Sequence, residues 1–213
     1  MLRLFIENKY YGKKKVLESI ELKIDSKGVY GVIGKNGAGK TTFFKCISSQ
    51  TTFKGFVHLN QKPIEKDNVG CCPTNPFLYD YLTAEEFKNF FAKLYNLENK
   101  KNNIFDLPKD QLIKDFSSGM KKKAYLNALL QKKYAIYLFD EVFNGLDIES
   151  VFTFENVIRK LGESSIVFIS SHILASLFNM CNSIFLVNDK KVKNFKKDEF
   201  DQIESFIKYW LLF

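Results

Sequence analysis

Apolar and polar residues alternate at the start of the chain, in LRLFIEN (2–8) and SIELKID (19–25). A period of two marks strands with one face in a core and one in solvent. The pattern then changes. GVYGVIG (28–34) is a continuous apolar run closed by glycine, as in a strand covered on both faces, and KTTFFKCISSQ (40–50) after it reads as a helix. GFVHLN (55–60) and NVGCC (68–72) are further short strands. From Thr83 the period lengthens: TAEEFKNFFAKLYNL (83–97) opens with a capping box, Thr83 and Glu86, and SSGMKKKAYLNALLQ (117–131) forms a second helix. Residues from about 76 to 131 therefore read as a helical insertion. Buried strands return in YAIYLFD (134–140), SIVFIS (165–170) and SIFLVN (183–188), separated by helices expected from about Ile148 and from His172. The tail DEFDQIESFIKYWLLF (198–213) is expected to be a short helix with an aromatic face on the body. Strands alternating with helices predict an α/β sheet with right-handed crossovers.

The 213 residues suit one domain, and 46% hydrophobic with 26% charged residues is ordinary globular composition. The net charge of +8 raises nucleic acid or an anionic membrane as partners, but the lysines fall in small scattered groups (13–15, 121–123, 190–197), which reads as a solvated surface. No nucleic-acid partner is expected. Cys46, Cys71, Cys72 and Cys181 make no CxxC pair and read as reduced thiols of a cytosolic protein. Arg3 and Glu7 break the first apolar run, which argues against a signal peptide. Apolar stretches such as YWLLF are far below the ~18 residues of a spanning helix, so the chain is not expected to cross a membrane.

The chemistry is concentrated in GKNGAGKTT (34–42). Gly34, Gly39, Lys40 and Thr41 fit G-x-x-x-x-G-K-[ST], placed between a buried strand and a helix. Glycines let successive backbone N–H groups turn around phosphate oxygens at the positive end of the helix. Lys40 would reach the β- and γ-phosphates, and the Thr41 hydroxyl would coordinate Mg²⁺. In the nucleotide-free chain Lys40 is expected to be a surface charge. YAIYLFDE (134–141) ends an apolar strand in two acids: Asp140 suits a Mg²⁺ ligand, and Glu141 could polarise a water.

GKNGAGKTT, FSSGMKK (116–122), LFDEVFNGLD (138–147) and FISSH (168–172) follow one another in an order that resembles the ATPase subunit of ATP-binding cassette (ABC) transporters over nearly the whole chain. The resemblance implies an α/β P-loop NTPase fold with a mostly parallel core sheet, an N-terminal antiparallel β part and a small helical subdomain. It implies ATP bound by Tyr11, stacked on adenine (with Tyr10 as rival), and by the loop Gly34, Lys35, Asn36, Gly37, Ala38, Gly39, Lys40, Thr41 and Thr42. Asp140 resembles the metal-binding acid, Glu141 the general base, His172 the histidine that contacts the γ-phosphate, and Asp147 the aspartate of the dimer-interface loop. Ser117, Ser118 and Gly119 match the signature LSGGQ in part, with Ser118 and Met120 replacing glycine and glutamine; the signature addresses ATP held by a partner subunit. Thr74 stands where the family has a glutamine that helps to hold Mg²⁺ and water, and Val142 replaces a proline.

These likenesses imply a Mg²⁺-dependent ATPase that works as a dimer, with a homodimer expected. It would power solute transport through separate membrane-spanning subunits and lie at the inner face of the cell membrane. A soluble ABC ATPase serving as regulator or scaffold is the alternative.

Overall fold

The structure is a computed structural model that describes residues 1–98, 103–203 and 205–206. Among them, ten strands and five α-helices follow in the order β1 (Leu2–Tyr11), β2 (Lys14–Ile24), β3 (Gly28–Ile33), α1 (Lys40–Ile47), β4 (Lys54–Leu59), β5 (Lys62–Pro63), β6 (Val69–Cys72), α2 (Ala84–Leu94), α3 (Ser118–Leu129), β7 (Ile136–Phe139), α4 (Ile148–Ser164), β8 (Ile166–Ser170), α5 (Leu174–Met180), β9 (Ser183–Asn188) and β10 (Lys191–Lys196).

The two apolar patterns sort into two sheets. The alternating strands build an antiparallel sheet of order β2-β1-β4-β5, in which Leu4 lies opposite Leu22 and Val57 on the buried face. The continuous apolar runs build a six-stranded sheet of order β10-β9-β3-β8-β7-β6, parallel except for its edge strand β10. Every residue of β3, β7 and β8 is buried, as strands covered on both faces require. One core lies between the sheets and around α1, with Leu4, Ile6, Phe43 and Phe168. A second lies on the opposite side of the parallel sheet, where Phe139 and Val167 meet Phe154 and Ile158 of α4 and Leu177 of α5. A small third one joins α2 and α3 through Phe87, Ile113, Phe116 and Ala128.

The Thr83 capping box is formed: its hydroxyl accepts from the Glu86 amide, and the Glu86 carboxylate accepts from the Thr83 amide at 2.8 Å. Two features depart from the sequence reading, and a third agrees with it as far as it is described. The lysine group 190–197 contains β10, an edge strand reached through a tight turn at Asp189 and Lys190, both with positive φ. Helix α5 begins at Leu174, so His172 sits in the preceding loop rather than in the helix. The tail is helical at residues 200–203 and 205–206, with the Phe200 and Phe206 rings against Phe178 and Phe195, while the remainder of the expected helix lies outside the described residues. The four cysteines are free, and burial pushes the Cys46 and Cys72 thiols up to about 12. No helix among the described residues is long and apolar enough to cross a membrane.

Topology fixes the site. In register, Val32 pairs with Ser170 and Phe139 with Ile169, so the carboxyl ends of β3, β8 and β7 finish level with one another. The 34–39 loop, the 140–141 acids and the 170–172 segment all leave from that edge, the place where parallel sheets hold ligands.

Candidate nucleotide site

A cleft of about 510 Å³ opens at this edge, and its walls include Tyr11, Lys40, Thr41, Asp140, Glu141 and His172. Asn36, Gly37, Gly39, Thr42 and Thr74 also line it, together with Lys14 and Asn144. Gly39 precedes α1 with φ 112°, a conformation that a side chain rarely adopts, and it starts the helix directly under the loop. Of the two rival tyrosines, Tyr11 lines the cleft and Tyr10 does not.

Side-chain positions in the cleft are set by a chain of hydrogen bonds. Thr41 Oγ1 donates to Asp140 Oδ2 at 2.5 Å, and Ser170 Oγ donates to Asp140 Oδ1 at 2.7 Å. Ser170 Oγ in turn accepts from the Glu141 amide at 2.8 Å, so one hydroxyl fixes both acids. A hydroxyl beside a carboxylate is a hard oxygen pair of the type that Mg²⁺ takes, and Mg²⁺ fills its remaining positions with water and phosphate oxygens. These residues fit that ion.

Glu141 is the unusual residue. It is 7% exposed with φ 50°, in the left-handed region, two residues after the end of β7. Neither carboxylate oxygen accepts a well-aligned hydrogen bond, while Oε1 lies 3.1 Å from His172 Nε2 and 3.5 Å from Lys40 Nζ. A buried carboxylate with spare acceptor capacity, facing a cleft, can take a proton from a water or a ligand hydroxyl. Lys40 departs from the sequence expectation. It is 7% exposed rather than a surface charge, because its ammonium folds back to the Gly34 carbonyl at 2.9 Å and toward Glu141.

Ser117, Ser118, Gly119 and Asp147 do not line this cleft. Ser117 caps α3 by accepting from the Met120 amide at 3.2 Å. Asp147 caps α4 by accepting from the Ser150 amide at 2.8 Å and pairs with Lys123 at 2.6 Å, and these two contacts, Lys123 first, hold its carboxyl well below the usual carboxylate range. Gly119 packs against the loop before Asp147: a Cβ there would fall 2.1 Å from the Gly145 carbonyl oxygen. Ser117 and Ser118 are exposed, and Ser118 borders a second cleft of about 340 Å³ with Thr74, Asn144 and Gly145.

Lys14 and Asn144, which line the cleft, were not identified from sequence, nor were two residues that position its acids. Ser170 is a polar residue ending an otherwise apolar strand, which is a usable signal. Lys122 is not: it sits in a lysine triplet, yet it is 3% exposed and donates to the carbonyls of Glu141 at 2.9 Å and Asn144 at 2.8 Å.

The geometry has counterparts. Residues 17–144 match the ABC transporter family. The chain is 32% identical over 206 residues to the ABC transporter ATP-binding protein NatA of Bacillus subtilis, covering 86% of this chain and 84% of that one. It is 30% identical to the ABC-type transporter ATP-binding protein EcsA of the same organism, over 86% of this chain and 81% of that one. In fold it is similar to an ATP-binding subunit of an ABC transporter, with a TM-score of 0.83 at 24% identity, covering 97% of this chain and 93% of the other. A dimeric ATP-binding cassette in a post-hydrolysis state with ADP and Pi gives a TM-score of 0.78 at 17% identity, over 92% and 99%. With a glycine-rich loop, an acid pair and a histidine converging on one cleft, this chain belongs to the ABC transporter family as an ATP-binding and ATP-hydrolysing subunit.

Proposed function

We propose that the cleft holds MgATP, with the loop 34–42 around the phosphates and Tyr11 stacked on the adenine, and that Glu141 is the general base. The observation that carries this reading is the Glu141 carboxylate, buried beside Lys40 and His172 with no aligned donor of its own. Lys40 leaves Glu141 for the β- and γ-phosphates when nucleotide enters, which frees the carboxylate to accept a proton from the attacking water. His172, half-exposed at the rim beside Glu141, contacts the γ-phosphate. Mg²⁺, held by Thr41 Oγ1 and an Asp140 oxygen, would neutralise charge on the phosphate oxygens.

The active unit is a homodimer with two nucleotides between the subunits. Two observations support that role for Ser117, Ser118 and Gly119: they lie outside the chain's own cleft, and the two serines are exposed at a helix start, where free amides attract phosphate. Asp147 lies in the same interface. Separate membrane-spanning subunits dock on the 76–131 subdomain, where Phe77 and Tyr81 are 75% and 79% exposed. On this reading the protein works at the inner face of the cell membrane. The scaffold alternative gains nothing from the relatives, which carry the names of transporter proteins.

The test is a MgATP titration of wild type and Lys40→Ala. Losing charge-assisted contacts to phosphate should weaken binding by roughly 10- to 100-fold. Because Lys40 is buried against Gly34 and Glu141, a fall of a few degrees in melting temperature should accompany the loss. Wild-type affinity in Lys40→Ala would overturn the assignment of the cleft.

A further inference from the structure

Two irregularities interrupt the pairing of β1 near its end. Pairing with β4 passes from Ile6–Gly55 to Asn8–Lys54, which makes Glu7 an extra residue of β1, and pairing with β2 passes from Lys9–Leu17 to Tyr10–Lys15, where the extra residue, Val16, belongs to β2. An extra residue in a strand reverses which face the following side chains occupy. Leu2, Leu4 and Ile6 point inward, so uninterrupted alternation would turn Lys9 to solvent; instead it is 4% exposed.

The buried ammonium donates to Thr51 Oγ1 at 2.6 Å and to the Thr52 carbonyl at 2.7 Å. These acceptors are neutral, and among the described residues no carboxylate lies within ion-pair distance of it. Burying a cation without a counter-ion is costly. A further neighbour is an aromatic face: Lys9 Nζ lies 4.2 Å from the centroid of the Tyr11 ring. Tyr11 is 46% exposed and lines the nucleotide cleft, whereas Lys9 does not reach it. The same ring therefore meets a fixed positive charge in the body of the protein and forms part of the wall of the space where a base would lie.

We infer that Lys9 is a positioning residue for the base-binding ring. The cation holds the ring plane through its attraction to the π face and withdraws electron density from the outer face, which strengthens stacking of a purine base on it. This rests on the reading of Tyr11 as the stacking residue. The competing role is structural, with Lys9 merely fastening residues 51–52 to β1. The two differ in what they do to a ligand without a base.

The experiment measures binding of MgATP and of magnesium tripolyphosphate, which keeps the phosphates and lacks the base, to wild type, Lys9→Met, Tyr11→Ala and the double variant. Lys9→Met should weaken MgATP by roughly three- to tenfold and leave tripolyphosphate within about twofold. The double variant should bind MgATP no more weakly than Tyr11→Ala. Equal losses for both ligands, no loss for either, or additive losses in the double variant would overturn the role of Lys9. If Tyr11→Ala itself binds MgATP like wild type, the stacking reading fails first and takes the inference with it. Should Lys9→Met not fold, Thr51→Val replaces it: that variant removes one anchor of the ammonium and should show a smaller loss confined to MgATP, while an unselective loss or none contradicts the inference.

Discussion

Replacing Lys122 with methionine removes the ammonium that α3 inserts behind Glu141, the proposed general base. Lys122 is 3% exposed and donates to two carbonyls, Glu141 at 2.9 Å and Asn144 at 2.8 Å. Glu141 needs such a hold. Its φ of 50° costs a non-glycine residue on the order of 1 kcal/mol or more, so that conformation persists only when its surroundings impose it. Two charge-assisted bonds contribute about 1.5–3 kcal/mol each, and desolvation of the ammonium, which holds Lys122 below the ordinary lysine range, offsets part of that. Methionine fills the space of the stem but leaves the Asn144 carbonyl without a donor and the Glu141 carbonyl with only the Asn144 amide at 3.2 Å. The net loss is about 2–3 kcal/mol, which for a chain of this size lowers the melting temperature by roughly 5–10 °C. With the Glu141 backbone released, kcat should fall about tenfold, in keeping with a misplaced proton acceptor. KM for MgATP should stay within about twofold, because Lys40 and the phosphate loop are untouched. Steady-state ATPase over a range of MgATP, alongside thermal melts, reads all three quantities. A lowered melting temperature with unchanged kcat would refute the argument, since Lys122 would then support the fold and not the base.

Thr74 borders both clefts, but its hydroxyl is about two bonds shorter than a glutamine amide, so Thr74→Gln should raise turnover several-fold at unchanged nucleotide affinity; equal or lower turnover, without and with membrane partners, would show that the loop works another way. Asp147 is held below the carboxylate range by Lys123 and the Ser150 amide, so its stabilisation is fully present above its unfolded value near pH ~3.9 and is lost as pH falls from there through the folded value. The melting-temperature gap between wild type and Asp147→Asn should therefore be constant above about pH 5 and shrink below about pH 4; a gap unchanged down to about pH 2.5 would contradict it.

The parts of the site that depend on local backbone chemistry were legible in the sequence. A glycine loop between a buried strand and a helix has few other physical uses, and two acids ending a buried strand must be paid attention by a cation or a donor. The convergence of Thr41, Asp140 and Ser170 required topology, since it depends on β3, β8 and β7 lying side by side. Burial of the lysines was the least legible. Lys9 turns inward only because β1 bulges at Glu7, and nothing in LRLFIENKYY announces that bulge. Lys122 looks like its neighbours Lys121 and Lys123 until Glu141 and Asn144 offer it two carbonyls. The strand β10 was hidden for the opposite reason: its lysines are solvated, as read, but Val192 and Phe195 between them pair with β9, and the turn at Asp189 and Lys190 lacks the glycine or asparagine that usually marks a hairpin.

The central claim is that this cleft hydrolyses ATP with Glu141 as the proton acceptor. Its most direct test is the rate of γ-phosphate release by Glu141→Gln against wild type, measured at saturating MgATP with bound nucleotide quantified in both. Glutamine keeps the size of the side chain and removes its basicity. The account predicts a fall of at least ~100-fold with MgATP still bound; release within about twofold of the wild-type rate would contradict it.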